Sequence, residues 1–379
     1  MSEKHLHIIS FSIPYPPNYG GVIDVFYKIK ALHKQNIKIH LHCFKYDRDE
    51  SAELEKYCYS VNYYYRKTGF FLEFSKKPYI VAGRKSDELL NNLLNDDYPI
   101  LFEGLHSCYL LDNKLLKNRI KIYRESNIEH HYYYNLFKAE KNIFNKIFFL
   151  SESIKLKFYQ KVLKNSSSMF AVSRKDTEYL QKHFKNKNIK YLPSFHANDR
   201  LDILPGKNNY ALYHGKLSVA ENYNAAVFLI KKVFNNTDIP LVIAGLDPPK
   251  HLVSLVNKSK NIILIKNPDD AEMFNLIKNA QINILITFQA TGLKLKLLNT
   301  LFNGRHCIVN DKMVTGTGLD KLCVIANTPE ELKNSLKKYI DKKINEDELE
   351  KRKKILSENY SNEKNAGRLI KSIFDIKRG

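Results

Sequence analysis

Tandem glycines near the N-terminus form the first of three segments whose residue types suit ligand binding. Gly20 and Gly21 stand between an apolar run at 5–11 and a helical pattern at 22–35. Glycines at such a turn let the backbone approach a ligand closely and direct free N–H groups at its oxygens. A tight turn that starts a helix without any ligand needs the same residues, so both interpretations stay open.

Ionisable side chains follow two neighbouring apolar runs and form the second segment. Glu103 and His106, which we take as candidate catalytic residues, come at the end of the run 99–103, and the stretch 123–133 follows the next run. A histidine at a strand end can orient an acceptor hydroxyl or stabilise developing charge, while a loop histidine without a role remains the simpler alternative. The adjacent histidines of the stretch lack i,i+4 spacing and no HExxH occurs, so no metal site is predicted.

Lysines, glycines and a threonine at two places in the second half of the chain form the third candidate site. They follow the strand-like run 210–214 or open the helical pattern 293–303, and they are Gly215, Lys216, Thr291, Gly292, Lys294 and Lys296. Lysines at strand ends and at a helix N-terminus suit a diphosphate, because the ammonium groups and the helix dipole act together. A departing nucleoside diphosphate needs this stabilisation when no metal is present. Lysines that only face water would give the same pattern.

The elements that must position these residues alternate between short apolar strands and amphipathic helices. The predicted strands are 5–11, 37–44, 60–65, 99–103, 120–124, 168–172, 210–214, 240–244, 261–265, 282–287 and 306–309. The predicted helices include 22–35, 85–96, 175–184, 222–234, 270–279 and 293–303. This alternation predicts an α/β fold of two Rossmann-like domains, with parallel sheets facing a central cleft. We expect domains at 1–195 and 196–355, and a C-terminal helix at 356–379 that returns to the first domain.

Composition sets limits on the class of protein. The five cysteines are odd in number and scattered, which argues against a disulfide framework and fits a reducing cytoplasm. We find neither a signal peptide nor a membrane-spanning apolar run. The net charge of +21 favours anionic partners. No helix-turn-helix, RNA-recognition or zinc signature supports nucleic-acid binding.

A basic, aromatic helical region at 128–164 has two interpretations. Seven lysines and two glutamates occur over 136–165, interleaved with phenylalanines. Such a helix can lie on an anionic membrane surface, which predicts a cytoplasmic protein peripheral to the inner membrane face. Ordinary packing with lysines extended into water is the alternative.

Several segments together resemble retaining GT-B glycosyltransferases of family four, over roughly residues 5–340. Residues 15–21 are similar to that family's glycine loop, and residues 124–133 to its R-x-x-N-x-E-H-x-Y-Y stretch. Residues 170–176 resemble its VS-x-x-D strand and helix, and residues 213–218 the opening of its donor domain. The segment 291–304 resembles its TG-x-K-x-K-x-L-E-A-x-x-x-G helix start.

The resemblance implies a metal-independent enzyme without a cofactor, which moves a hexose from a nucleotide-sugar donor to a glycan or lipid-linked acceptor. By this resemblance Gly20 and Gly21 approach the donor phosphate or reacting sugar, and His106 lies near the transferring sugar. Lys216 with Lys294 or Lys296 neutralises the diphosphate.

Asn299 departs from the family pattern, which has a glutamate there to bind the ribose diol. An amide can accept with its oxygen and donate with its nitrogen, but it binds a diol more weakly than a carboxylate by about 1–2 kcal/mol. The family's earlier acidic residue is absent too, since Phe-Gln-Ala occupies 288–290, and Glu221 stands where relatives carry a phosphate-binding lysine. A non-catalytic GT-B-like scaffold in glycan assembly is therefore the second hypothesis.

Overall fold

The computed structural model describes residues 3–185, 187–288 and 295–376. These residues form two compact units. Unit 1 runs to His196 and resumes at Asn362, while unit 2 extends from Ala197 to Ser361. The chain thus leaves unit 1 once and returns to it with its last helix.

Both units are built on parallel sheets, as the alternating pattern predicts. In unit 1 the described strands are β1 (Lys4–Ser10), β2 (Ile37–Lys45), β3 (Ser60–Tyr65), β4 (Ile100–Glu103), β5 (Lys121–Glu125), β6 (Ser168–Ala171) and β7 (Asn188–Tyr191). In unit 2 they are β8 (Ala211–His214), β9 (Leu241–Gly245), β10 (Ile262–Lys266), β11 (Ile282–Leu285), β12 (His306–Val309) and β13 (Val324–Ile325). The orders are β3-β2-β1-β4-β5-β6-β7 and β10-β9-β8-β11-β12-β13.

Helices connect the strands. Those of the described residues are α1 (Gly20–His33), α2 (Tyr79–Ala82), α3 (Asp87–Leu94), α4 (Glu129–Ala139), α5 (Ile143–Tyr159), α6 (Arg174–His183), α7 (Ala220–Phe228), α8 (Lys250–Asn257), α9 (Asp270–Asn279), α10 (Leu295–Asn303), α11 (Asp311–Val314), α12 (Pro329–Tyr339), α13 (Glu346–Asn359) and α14 (Asn362–Phe374). Short 3₁₀ segments occur at Phe70–Phe74, Leu105–Leu110, Lys114–Leu116, Gln160–Asn165 and Asp320–Leu322, and a π-helical turn at Leu229–Val233. None of these helices is long and apolar enough to cross a bilayer.

The strand order explains where a ligand site is expected. Central strands such as β4 and β11 bury every residue, because helices cover both faces of the sheets. The direction of strand addition reverses between β1 and β4 in unit 1 and between β8 and β11 in unit 2. Ligands of such sheets bind beyond the C-terminal strand ends at this reversal point.

Two predicted helical regions are each divided in the structure. The region 128–164 breaks after α4, where Glu140 Oε1 accepts from the N–H of Asn142, and Asn142 Oδ1 caps α5 at Phe144 N. These local bonds satisfy backbone groups that a continuous helix would have paired. The C-terminal region breaks at Tyr360–Ser361, so α13 belongs to unit 2 and α14 to unit 1.

A row of polar side chains crosses the sheet of unit 1 below the strand ends. Asn92 Nδ2 donates to Tyr64 Oη (2.8 Å), which lies 2.7 Å from His42 Nδ1. His42 Nε2 is 2.9 Å from His7 Nδ1, and His7 Nε2 is 2.9 Å from Asp96 Oδ1. Because a carboxylate only accepts, every bond of the row is satisfied when both imidazoles are neutral and donate towards Asp96.

This row predicts a loss of stability in acid. Burial lowers the pKa of His7 and holds that of His42 well below its usual value. Below about pH 6.5 the unfolded chain therefore binds more protons than the folded chain, and the free energy of unfolding decreases as the pH is lowered. Between pH 7 and pH 5 we expect the free energy of unfolding to fall in the His42→Gln variant too, but by about 1–2 kcal/mol less than in wild type. Hydrogen exchange of β1 and β2 peptides measures this difference, and equal losses would contradict it.

Candidate functional site

The start of α1 lies at the C-terminal end of β1. The helix begins at Gly20 without a side-chain cap from Tyr19, which leaves its first N–H groups available. A Cβ on Gly21 would lie 2.6 Å from the Phe11 ring, whereas one on Gly20 would meet nothing within 4 Å. A side chain at Gly21 would therefore require the Phe11 ring to move, whereas one at Gly20 would not.

His106 lies beside the same loop. Gly104 has a φ of +70°, a conformation that favours glycine, and it turns the chain from β4 towards His106. The His106 ring is 5.5 Å from that of Phe11, and its Nδ1 is buried without a hydrogen-bond partner among the described residues. Burial, followed by Arg84 and Arg66, holds its pKa well below the usual value. Near neutral pH this favours the uncharged imidazole, whose Nδ1 faces the protein interior while about a quarter of the side chain is exposed.

Two buried carboxyl groups extend this edge of the sheet. Glu129 Oε1 at the start of α4 is 3.8 Å from His106 Nδ1, and Glu125 ends β5. Burial raises the pKa of Glu129 to about 8, against the effect of Arg84. Burial and then Glu129 raise that of Glu125 well above its usual value. Both belong to the stretch 123–133, so the sequence signal was present, but it did not single them out.

Glu103 has surroundings different from those we expected for a catalytic group. Its side chain is 3% exposed, and Oε1 accepts a 2.7 Å bond from Lys28 Nζ. Lys28 also bonds Asp24 Oδ2 at 3.1 Å, and Asp24 Oδ1 accepts from Arg124 Nη2 at 3.3 Å and from Phe195 N at 2.7 Å. Glu103 thus belongs to a buried ionic network of α1, β4 and β5. It fixes the strand end that carries His106 and does not itself face an open surface.

The corresponding edge of unit 2 carries Gly215 and Lys216 after β8. A Cβ on Gly245 would lie 1.8 Å from the Gly215 carbonyl oxygen, so the ends of β8 and β9 approach more closely than any side chain permits. Lys216 is 55% exposed, and its Nζ lies 3.8 Å from the exposed Asp247 carboxylate. A pair so open to water is weak, which leaves the ammonium group able to bind a ligand anion.

Lys296 and Asn299 lie in α10, and both make contacts inside unit 2. Lys296 Nζ donates to Asn222 Oδ1 at 3.1 Å and stands 5.2 Å from the Tyr213 ring centroid. Asn299 Oδ1 accepts a 2.9 Å bond from Asn198 Nδ2. The three other predicted residues of this region, Thr291, Gly292 and Lys294, lie outside the described residues.

A hydroxyl–carboxylate contact completes the edge of unit 2. Thr287 Oγ1 donates to Glu221 Oε1, and the Asn310 amide bonds both the N–H and the carbonyl of Thr287, at 3.1 and 2.7 Å. Glu221 therefore holds the end of β11 where relatives of the resembled family carry a lysine. Across the described ranges no group of three or more His, Cys, Asp or Glu side chains could hold a metal ion.

Comparisons with known proteins agree with this architecture. No family model matches the chain. A Klebsiella pneumoniae protein described as an uncharacterized 44.6 kDa protein in the cps region is 27% identical over 347 residues, which cover 84% of this chain and 87% of that protein.

Solved structures of similar fold cover nearly the whole chain. Staphylococcus aureus TarM, solved with UDP and alpha-GlcNAc-glycerol, gives a TM-score of 0.66 at 10% identity and covers 98% of this chain and 100% of its own. Anabaena HepE, solved with UDP and glucose, gives 0.64 at 10% identity with the same coverage. WaaG, a glycosyltransferase of lipopolysaccharide biosynthesis, gives 0.63 at 11% identity, with 97% and 99% coverage.

The chain accordingly has the GT-B fold, in which two Rossmann-like α/β units each carry a parallel sheet. The predicted fold class is confirmed. In each unit the reversal point of the sheet carries residues that the sequence had singled out, namely Gly21 and His106 in unit 1 and Gly215 and Lys216 in unit 2.

Proposed function

We propose that this protein is a glycosyltransferase that moves a hexose from a nucleotide-sugar donor to a glycan or lipid-linked acceptor, with retention and without a metal. The observation that carries the proposal is the tight Gly215–Gly245 approach at the reversal point of unit 2, with the exposed Lys216 beside it. A backbone free of side chains next to an ammonium group suits a diphosphate. Similar GT-B structures solved with UDP support the same assignment.

The residues divide the proposed chemistry between the two units. In unit 2, Lys216 and Lys294 neutralise the diphosphate as the bond to the sugar breaks, and Asn299 bonds the ribose. In unit 1, the N–H groups at Gly20 and Gly21 and the partly exposed imidazole of His106 bond hydroxyls of the reacting sugar or acceptor. Glu103 acts through the ionic network that fixes this strand end.

A nucleotide panel tests this proposal. UDP, GDP and ADP are compared by thermal shift on the full chain, and the nucleotide that binds is then supplied as its hexose derivatives, with release of nucleoside diphosphate as the readout. We expect one diphosphate to raise Tm by several degrees, since ligand binding stabilises the folded state. If none of the three nucleotides shifts Tm, the result favours the second hypothesis, a non-catalytic GT-B-like scaffold. The Asn198–Asn299 bond favours that hypothesis, because it engages an oxygen that ribose would need.

We further propose that unit 1 contacts an anionic membrane through α5. Large apolar side chains repeat along one exposed side of this helix, at Phe144, Ile147, Ile154 and Phe158, each at least half exposed. The aromatic turn Phe70–Phe74 lies next to the helix, where Lys155 Nζ bonds the Glu73 carbonyl, and its Phe71 is 90% exposed. Apolar groups this exposed in a row, together with surrounding lysines, fit the interface of an anionic bilayer.

Liposome sedimentation tests the membrane proposal. We expect binding to vesicles that contain about 30% anionic lipid to exceed binding to neutral vesicles, and to weaken as salt screens the lysines. Phe71→Ser with Phe158→Ser should lower the bound fraction several-fold. The matched control Tyr59→Ser removes an exposed aromatic ring elsewhere in unit 1. Equal binding of the double variant and wild type would contradict the proposal.

A further inference from the structure

Three arginines lie near the C-terminal edge of the unit 1 sheet, and two of them, Arg84 and Arg66, are close enough to His106 to lower its pKa. Arg48 follows β2, Arg66 follows β3, and Arg84 follows α2. We call these three residues the arginine cluster. They come from separate connections, so only the fold brings them together.

Packing holds Arg84 in place. Its side chain is almost wholly buried, with Nε and Nη2 donating to the Phe11 carbonyl at 2.9 and 2.7 Å, and Nη1 donating to the Ile80 carbonyl. These bonds use three of its five N–H groups. The Phe11 ring is in turn 5.5 Å from the His106 ring. Arg84 is therefore fixed on the residue that also packs against His106.

Arg66 and Arg48 are held mainly by aromatic rings and polar oxygens. The Arg66 guanidinium stands 4.6 Å from the Tyr46 ring centroid, and that of Arg48 5.5 Å from the Tyr19 centroid. Arg48 Nη1 also donates to Asn18 Oδ1 at 2.9 Å. Lys67 N bonds the Gly83 carbonyl at 2.8 Å, which brings the end of β3 next to Arg84.

The positive charge of the cluster is not balanced by an ion pair in the part of the chain that the structure describes. Among the described residues no carboxylate lies within 4.0 Å of Arg48, Arg66 or Arg84, and the Nε atoms of Arg48 and Arg66 are buried without hydrogen-bond partners. Glu129 is a nearby carboxyl, and its raised pKa leaves it mostly uncharged near neutral pH. Burial and the charge of Arg66 lower the pKa of Arg84. A buried charge such as that of Arg84 is normally paired in a folded protein, and the half-buried Arg66 and Arg48 add further N–H donors, so this arrangement suits a bound anion.

We propose that the arginine cluster binds an anionic group of the acceptor, a phosphate or a carboxylate, and so places the acceptor hydroxyl beside His106. Guanidinium groups match such anions with paired hydrogen bonds. This inference rests on the proposed glycosyl transfer and narrows its acceptor to an anionic sugar or sugar phosphate. The donor diphosphate has its own proposed site in unit 2, at Lys216.

The test compares binding of glucose 6-phosphate, glucuronate and uncharged glucose to the full chain by calorimetry, for wild type and for Arg66→Gln. The Arg66 side chain makes no hydrogen bond to a backbone atom of the described residues, so Arg66→Gln is expected to fold. Arg174→Gln is the matched control, since Arg174 also stacks on a ring, at 5.0 Å from the Tyr191 centroid, far along the sheet.

We expect at least one of the two anions to bind more tightly than glucose by about tenfold or more, and Arg66→Gln to abolish that preference while Arg174→Gln keeps it. Binding of the nucleotide found in the panel should be unchanged in Arg66→Gln. Equal binding of the anions and glucose would overturn the inference. A matching loss of nucleotide affinity in Arg66→Gln would overturn it too, because the cluster would then hold the donor diphosphate. The protein could also bind the anions in an Arg66-dependent way and bind no nucleotide. That result would contradict the proposed glycosyl transfer but would support the anion site.

Discussion

Replacing Lys28 with methionine is expected to lower the stability of unit 1 by about 3–5 kcal/mol. Lys28 Nζ lies between the Asp24 and Glu103 carboxylates, at 3.1 and 2.7 Å, and its side chain is completely buried. Without the ammonium group, Glu103 keeps no charged partner within ion-pair distance in the described part of the chain. Its burial already raises its pKa, so it would take up a proton or admit water. Hydrogen exchange of α1 and β4 peptides measures the loss.

A double variant separates the missing charge from the missing packing. Lys28→Met with Glu103→Met removes both charges, and we expect it to recover at least half of the lost stability, because apolar pairs of similar volume often replace buried ion pairs. Lys30→Met is the matched control on the same helix, since Lys30 lies over the rings of Phe26 and Tyr57 and pairs with no carboxylate at 4.0 Å among the described residues. A cost for Lys28→Met no larger than for Lys30→Met would contradict the ionic network.

The second large effect concerns turnover. Under the proposed function, Lys216→Ala and Lys294→Ala should each lower kcat by tenfold or more, which corresponds to at least about 1.4 kcal/mol of lost transition-state stabilisation. Lys216 is exposed and weakly paired, so its removal should leave the fold intact. The readout is release of nucleoside diphosphate at saturating donor, with Tm measured on the same samples.

Lys258→Ala provides the comparison for these two variants. Lys258 follows α8 before β10 begins, so it lies towards the N-terminal edge of the unit 2 sheet, away from Lys216. The Lys258→Ala variant should retain wild-type kcat. If both Lys216→Ala and Lys294→Ala keep wild-type turnover, the enzyme is active but neither lysine stabilises the departing diphosphate.

Much of the fold was predictable because strand and helix patterns are local. The runs at 37–44, 60–65 and 99–103 each match an observed strand to within a residue, because each is a short run that holds several β-branched, apolar or aromatic residues. The strands β7 and β13 escaped prediction. In β7 only Ile189 is buried, and β13 has just two residues, so neither carries an apolar signal of its own.

The candidate site was predictable only in part. Gly21 and His106 stand out in the sequence because each lies in or at the end of a connection that follows a strand-like run, and those strands meet at the reversal point of the sheet. Arg66 and Arg84 gave no comparable signal. Each lies in an ordinary polar connection, and its approach to His106 depends on packing between segments far apart in the chain.

By itself the sequence determined the two α/β series, the glycine turn at Gly21 and the Gly-Lys pair at the strand end, Gly215 and Lys216. Each of these depends on residues that are neighbours along the chain. Tertiary structure alone decided that Glu103 pairs with Lys28, 75 residues away, and that His106 and Glu129 face each other in their uncharged forms. The reason is physical: protonation and pairing depend on burial and on the distance to remote groups, and neither quantity exists until the chain has folded.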